Sequence, residues 1–166
     1  EFCKNNGFLH FSNVREALTT QKPDGAIIAT PNSIHMENAL DFIDRGIPIL
    51  VEKPLSSDTE SALSIVQCAK KKNVRLLTGH HRRHNKIIRK AKDTIDSGQL
   101  GRLVASHSMC WLFKPNDYFN SWRKSISGGP VLINLTHDID LMRYLIGEIE
   151  SVHSFESNAN RKGKVE

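Results

Sequence analysis

Ala26-Ile27-Ile28-Ala29-Thr30-Pro31-Asn32 and Ile49-Leu50-Val51-Glu52-Lys53-Pro54 are two short apolar runs, each closing on a proline turn. Uninterrupted runs of this kind, rich in β-branched residues, fit strands buried within a parallel sheet. Between them, Thr30-Pro31-Asn32-Ser33 offers helix-cap chemistry, and Met36, Ala39, Leu40 and Ile43 recur at helical spacing until Gly46. After Pro54, Ser57 and Glu60 are placed as a capping box ahead of a helix whose inner face is Ala62, Ile65, Val66 and Ala69. Val74 to Thr78 supplies a third strand. Strands alternating with amphipathic helices through short links predict an α/β fold with a doubly wound parallel sheet covered on both faces. Ligands of such sheets bind at the carboxyl ends of the strands, which singles out Thr30-Pro31-Asn32, Glu52-Lys53-Pro54 and Gly79-His80-His81.

Upstream, Asn13 to Thr20 reads as a short helix with Asn13 and Glu16 as its capping box, and Lys22-Pro23-Asp24-Gly25 as the turn into the first strand. Downstream, the rhythm changes near Asn85. A helix through Ile87, Ile88, Ala91 and Ile95 ends near Gly98, and Leu103 to Met109 alternates like a strand. Trp111 to Trp122 reads as a long loop leading to Gly128-Gly129-Pro130 and a helix over Val131 to Ile146, stopped by Gly147, with Glu150 to Phe155 as a further strand. The expected division is residues 1–83 and 84–166, a partial sheet domain followed by part of a second α/β (α+β) domain. The chain starts without methionine and reads as the middle portion of a longer one.

A lysine such as Lys53 is either a solvated surface residue or, at the ligand-binding edge, an ammonium able to hydrogen-bond a substrate hydroxyl with a pKa lowered by partial burial. Pro54 can hold the preceding peptide cis. His137 shares one helix face with Asn134 and Asp140. It serves either helix packing or proton transfer as a general base near neutral pH. Gly128 and Gly129 allow close backbone approach at the helix entrance. Trp122 and Arg123 are either an aromatic anchor with a surface charge or a stacking platform and guanidinium over a ligand, which Trp111, Phe113 and Tyr118 would help enclose.

Other chemistries are disfavoured. His80 and His84 have metal-ligand spacing, but no nearby carboxylate completes a set and Arg82 and Arg83 repel a cation. The net charge of +5 can attract phosphate-bearing ligands without requiring a nucleic acid, and the basic run from His81 to Lys86 leads into an ordinary amphipathic helix. Cys3, Cys68 and Cys110 fit neither a disulfide framework nor a thiolate metal site. No apolar run spans a bilayer and no signal-peptide architecture opens the chain, so a soluble cytoplasmic protein is expected.

Together these segments resemble the ordered motifs of the Gfo/Idh/MocA oxidoreductases: Ala29-Thr30-Pro31-Asn32 with His35, Val51-Glu52-Lys53-Pro54-Leu55, Gly79-His80-His81-Arg82-Arg83-His84-Asn85, and Trp122-Arg123 with Gly128-Gly129 through His137 and Asp140. The resemblance runs from about Asn13 to Asn158. It implies a Rossmann domain binding NAD or NADP, joined to an α/β domain whose open sheet shapes the substrate site and a homo-oligomer interface. It implies that Lys53 orients and polarises a substrate hydroxyl and that His137 accepts its proton, with Asn134 beside them at the substrate. Thr30, Pro31, Asn32, His35, Glu52, Lys53 and Pro54 match cofactor-lining positions, while Arg82, Trp122 and Arg123 reach cofactor or substrate. The implied reaction is reversible oxidation of a secondary alcohol on a sugar, inositol or related polyol, by hydride transfer to the nicotinamide. No metal is implied.

Two features depart from the family pattern within the chain. Family members often carry an aspartate four residues before the helix histidine, where Ile133 stands here, and the Gly-x-Gly-x-x-Gly fingerprint is absent from these 166 residues. The expectation is therefore an enzyme whose central part, taken alone, is inactive. The alternative is a non-catalytic protein of the same fold that senses a dinucleotide or docks a partner.

Overall fold

The computed structural model describes residues 1–115, 129 and 131–155. Its centre is a three-stranded parallel sheet of β1 (Ala26–Ile28), β2 (Ile49–Val51) and β3 (Leu76–Thr78), in the order β1-β2-β3. Helix α3 (His35–Ile43), entered through a 3₁₀ turn at Asn32–Ile34, links β1 to β2, and α4 (Thr59–Lys72) links β2 to β3. Outside this unit lie α1 (Phe2–Asn5), which the sequence did not signal, and α2 (Val14–Thr20), which packs against α3. The expected cap of α2 is present, with Asn13 Oδ1 accepting from Glu16 N at 2.9 Å.

The core is the seam between sheet and helices. Ile28, Ile49 and Val51 point to the side where Ala39 and Ile43 of α3 and Ile65 and Ala69 of α4 bury their apolar stripes. The expected coverage of both faces is corrected for the described residues. Strand side chains alternate, and the other set is open, with Ile27 76% and Leu77 63% exposed. The cause is topological: successive right-handed crossovers running in one direction along a sheet place both helices on the same face.

Two local expectations also change. The cap of α4 is Asp58, one residue later than Ser57: its Oδ1 accepts from Ser61 N at 2.8 Å and its Oδ2 from Ser61 Oγ at 2.9 Å. A carboxylate satisfies two donors of the first turn and favours the positive helix end, so it displaces the serine, whose Oγ instead donates to Asp58 Oδ2 at 3.1 Å. Leu103–Met109 and Glu150–Phe155 are not strands, because no ladder partner lies beside them among the described residues; Val104, Val152 and Phe155 are exposed.

After β3 the chain makes a 3₁₀ turn at His81–His84 and enters α5 (Lys86–Asp96), capped by Asn85 Oδ1 accepting from Ile87 N at 2.8 Å. The helix expected over Val131 to Ile146 is present in two parts, a π turn at Val131–Leu135 and α6 (Thr136–Leu145), and Gly147 follows with φ +142°. Both α5 and the His81–His84 turn pack on α6. That packing brings the His137 helix to the carboxyl edge of the sheet.

Candidate active site

The sheet register fixes one side of the site. Ile28, Val51 and Thr78 lie level, and Glu52 N→Ile28 O and Gly79 N→Val51 O, both 2.8 Å, carry the ladder one step further. Thr30, Lys53 and His80 therefore leave the sheet at matching positions, two residues beyond the aligned ends. The Lys53–Pro54 peptide is cis. Glu52 folds back so that its Oε2 accepts from Lys53 N at 3.1 Å, and its carboxylate lies across Gly79, where a Cβ would stand 3.1 Å from Oε2. A glycine at the end of β3 thus makes room for the carboxylate.

Helix α6 fixes the other side. Lys53 Nζ donates to the carbonyl of Ile133, in the π turn, at 2.6 Å. One turn later His137 is only 8% exposed; its ring meets that of His81 edge-on with centroids 4.9 Å apart, and its Nδ1 is buried with no hydrogen-bond partner among the described residues. Two ion pairs dock the helix on the turn after β3. Arg82 Nη1 donates to Asp138 Oδ1 at 3.2 Å, and Arg83 holds both oxygens of Asp140 at 2.8 and 2.6 Å while its guanidinium lies 5.1 Å from the Tyr144 ring centre. His80 Nδ1 stands 3.6 Å from Asp140 Oδ2, too far for a hydrogen bond.

This arrangement concentrates positive charge. Burial lowers the Lys53 pKa below the ordinary lysine value; Glu52 opposes the shift, and the charges of Arg82 and Lys114 reinforce it. Burial, then the charges of Lys53 and Arg82, push His137 down to about 4. His80 is lowered by burial against the pull of Asp140. At neutral pH His137 is therefore an uncharged imidazole within electrostatic reach of Lys53.

Of the residues expected from sequence, Thr30, Pro31, Glu52, Lys53 and Pro54 occupy the strand-end loops, Lys53 and Arg82 act electrostatically on His137, and Asn134 lies half-buried in the π turn next to the Ile133 anchor. His35 is corrected. It is fully buried, with Nδ1 3.0 Å from Pro54 O and Nε2 2.9 Å from Thr30 O, so it ties the two loops together from behind and presents no surface to a ligand. Asn32 is also buried. Trp111 and Phe113, which on one of the two readings would help enclose a ligand, are 87% and 92% exposed. Trp122, Arg123, Tyr118 and Gly128 lie outside the described residues. Sequence reasoning missed the pairing of Arg82 and Arg83 with Asp138 and Asp140, which the two opposite-charge doublets could have signalled. It also missed the Ile133 carbonyl, a main-chain atom with no sequence signature. Among the described residues no group of histidine, cysteine and carboxylate side chains is placed to hold a metal, and no helix is long and apolar enough to cross a membrane.

Comparison with known proteins bears on the family and the fold. Residues 1–80 match the oxidoreductase family with an NAD-binding Rossmann fold, and residues 88–166 match the GFO/IDH/MocA C-terminal domain. The rhizopine catabolism protein MocA of Rhizobium meliloti is 32% identical over 86% of this chain and 44% of its own length. Levoglucosan dehydrogenase of Pseudarthrobacter phenanthrenivorans is 35% identical over 76% of this chain and 34% of its own length. A levoglucosan dehydrogenase solved with NADH and levoglucosan superposes with a TM-score of 0.75 at 31% identity, over 88% of this chain and 41% of that one. The WlbA dehydrogenase of Bordetella pertussis shares the fold, with a TM-score of 0.89 at 24% identity over 99% of this chain and 49% of that one. The chain thus spans less than half the length of these curated relatives. With both domain signatures in order along it, and with the parallel sheet and strand-end lysine in place, the chain belongs to the Gfo/Idh/MocA oxidoreductase family.

Proposed function

We propose that the protein carrying this chain is an NAD-dependent dehydrogenase that reversibly oxidises a secondary hydroxyl of a sugar, inositol or related polyol. The observation that carries this reading is the convergence of the Lys53 ammonium, anchored 2.6 Å from the Ile133 carbonyl, with the buried His137, whose pKa of about 4 keeps it neutral. The family description and the relative named levoglucosan dehydrogenase support the cofactor and substrate class.

The residues at the strand ends suit such a cofactor. Thr30 is exposed at the end of β1, Pro31 and Pro54 are half-buried beside it, and Lys53 and Arg82 add positive charge at the same edge. Bound there, NAD would supply the hydride acceptor. The chain supplies the rest. Lys53 keeps donors free beyond the one given to Ile133, and these bind the substrate hydroxyl. The charges of Lys53 and Arg82 stabilise the alkoxide character that grows on that oxygen as the C–H bond breaks. His137 takes the hydroxyl proton. Those same charges lower its basicity, so the proton moves because the hydroxyl is acidified. Asn134, half-buried in the π turn, is a further polar candidate for the substrate.

A panel of cyclic polyols and sugars incubated with NAD, read as nicotinamide absorbance, tests the reading. The expected result is NAD reduction with at least one member. Tight NAD binding without turnover of any member would replace the dehydrogenase with a dinucleotide sensor.

A further inference from the structure

We infer that the π turn at Val131–Leu135 is a positioning device that presents the main-chain carbonyl of Ile133 as the fixed acceptor holding Lys53 beside His137. This rests on the dehydrogenase reading for its catalytic meaning, but its geometry stands apart from it.

Three observations carry it. First, the Lys53 Nζ–Ile133 O bond, at 2.6 Å, joins residues 80 positions apart and runs from the strand-end turn to the helix that bears His137. Second, its acceptor lies inside the one π segment among the described residues, at the junction with α6. A π turn holds one residue more than an α turn, so the regular i→i−4 ladder is interrupted and a carbonyl can face an outside donor. Third, the side chain at 133 has no acceptor, so the anchor is a neutral dipole. It fixes the ammonium without adding a countercharge, and Glu52 remains the carboxylate nearest in effect on Lys53. A lysine chain has many rotamers; one charge-assisted bond to a helix that is itself clamped through Arg83 and Asp140 selects the one that reaches the turn leading into His137. Ile133 is thus a positioning residue through its backbone, and Lys53 and His137 are kept in mutual register by the same turn.

The direct test is a through-hydrogen-bond scalar coupling, by NMR, between Lys53 Nζ and the Ile133 carbonyl carbon in the intact protein. The expected result is a resolved correlation; its absence while the Lys53 ammonium is observable would overturn the proposal. A second measurement deletes Leu132, which shortens the wide turn by one residue. If the variant folds, kcat is expected to fall at least about tenfold while NAD affinity and polyol KM stay within about threefold. Unchanged kcat would overturn the proposal; failure to fold leaves the coupling measurement to decide. Absence of any polyol oxidation by the unaltered protein would remove the dehydrogenase reading and leave the coupling result standing.

Discussion

Arg83 grips both carboxylate oxygens of Asp140, at 2.8 and 2.6 Å, and Asp140 is 5% exposed. This pair is the strongest tie between the turn after β3 and helix α6, and its two ends are not equivalent. Removing Arg83 strands a buried carboxylate, whereas removing Asp140 releases a guanidinium that can reach solvent. Arg83→Ala is expected to cost about 2–3 kcal/mol in urea unfolding, and Asp140→Ala less. Arg83→Ala should also raise the His80 pKa, because a repelling cation is lost while Asp140 remains 3.6 Å away. Equal destabilisation by both variants, with no movement of the His80 titration by NMR, would refute this asymmetry.

His137 is expected to make the protein acid-sensitive in a defined window. Its pKa is depressed from 6.5 in an unfolded chain to about 4 in the folded one, chiefly by burial. Between these values the unfolded state binds a proton that the folded state refuses, so stability falls as pH drops from about 6.5 towards 4 and is unaffected by this residue above that range. The full effect is on the order of 3 kcal/mol. Unfolding midpoints at pH 7 and pH 4.5 should therefore converge in His137→Gln relative to the unaltered protein; an identical pH dependence in both would contradict the assignment.

The corrected start of α4 yields a contrast between neighbours. Asp58→Ala removes the acceptor of Ser61 N and Ser61 Oγ and is expected to cost about 1 kcal/mol, while Ser57→Ala, which removes only a donor to Asp58, should cost less than about 0.5 kcal/mol. Thermal unfolding of the two variants checks this. A larger loss from Ser57→Ala would restore the serine as the cap.

Much of this was legible in the residues. The runs ending at Ile28, Val51 and Thr78 and the stripe of Ala39, Ile43, Ile65 and Ala69 define the sheet and its helices, because burial of apolar faces has a period that sequence displays. The candidates Lys53 and His137 came by different routes: the strand-end rule singles out Lys53, a helix face shared with Asn134 and Asp140 singles out His137, and the family motifs include both. The α4 cap was misplaced by one residue because serine and aspartate compete locally and only geometry decides. His35 was read as ligand-facing since its burial depends on two carbonyls from separate loops, a tertiary fact. The π turn was read as ordinary helix because its apolar residues Val131, Leu132, Ile133 and Leu135 suit either ladder.

Lys53 and His137 are proposed to act as one acid-base pair on a polyol hydroxyl. The most direct measurement is steady-state NAD reduction by the intact protein and by Lys53→Met with the best substrate of a cyclic polyol panel, alongside NAD affinity by calorimetry. Lys53→Met is expected to lower kcat by at least about a hundredfold while NAD still binds, at an affinity reduced by the loss of one charge. Turnover by Lys53→Met equal to that of the unaltered protein would contradict it.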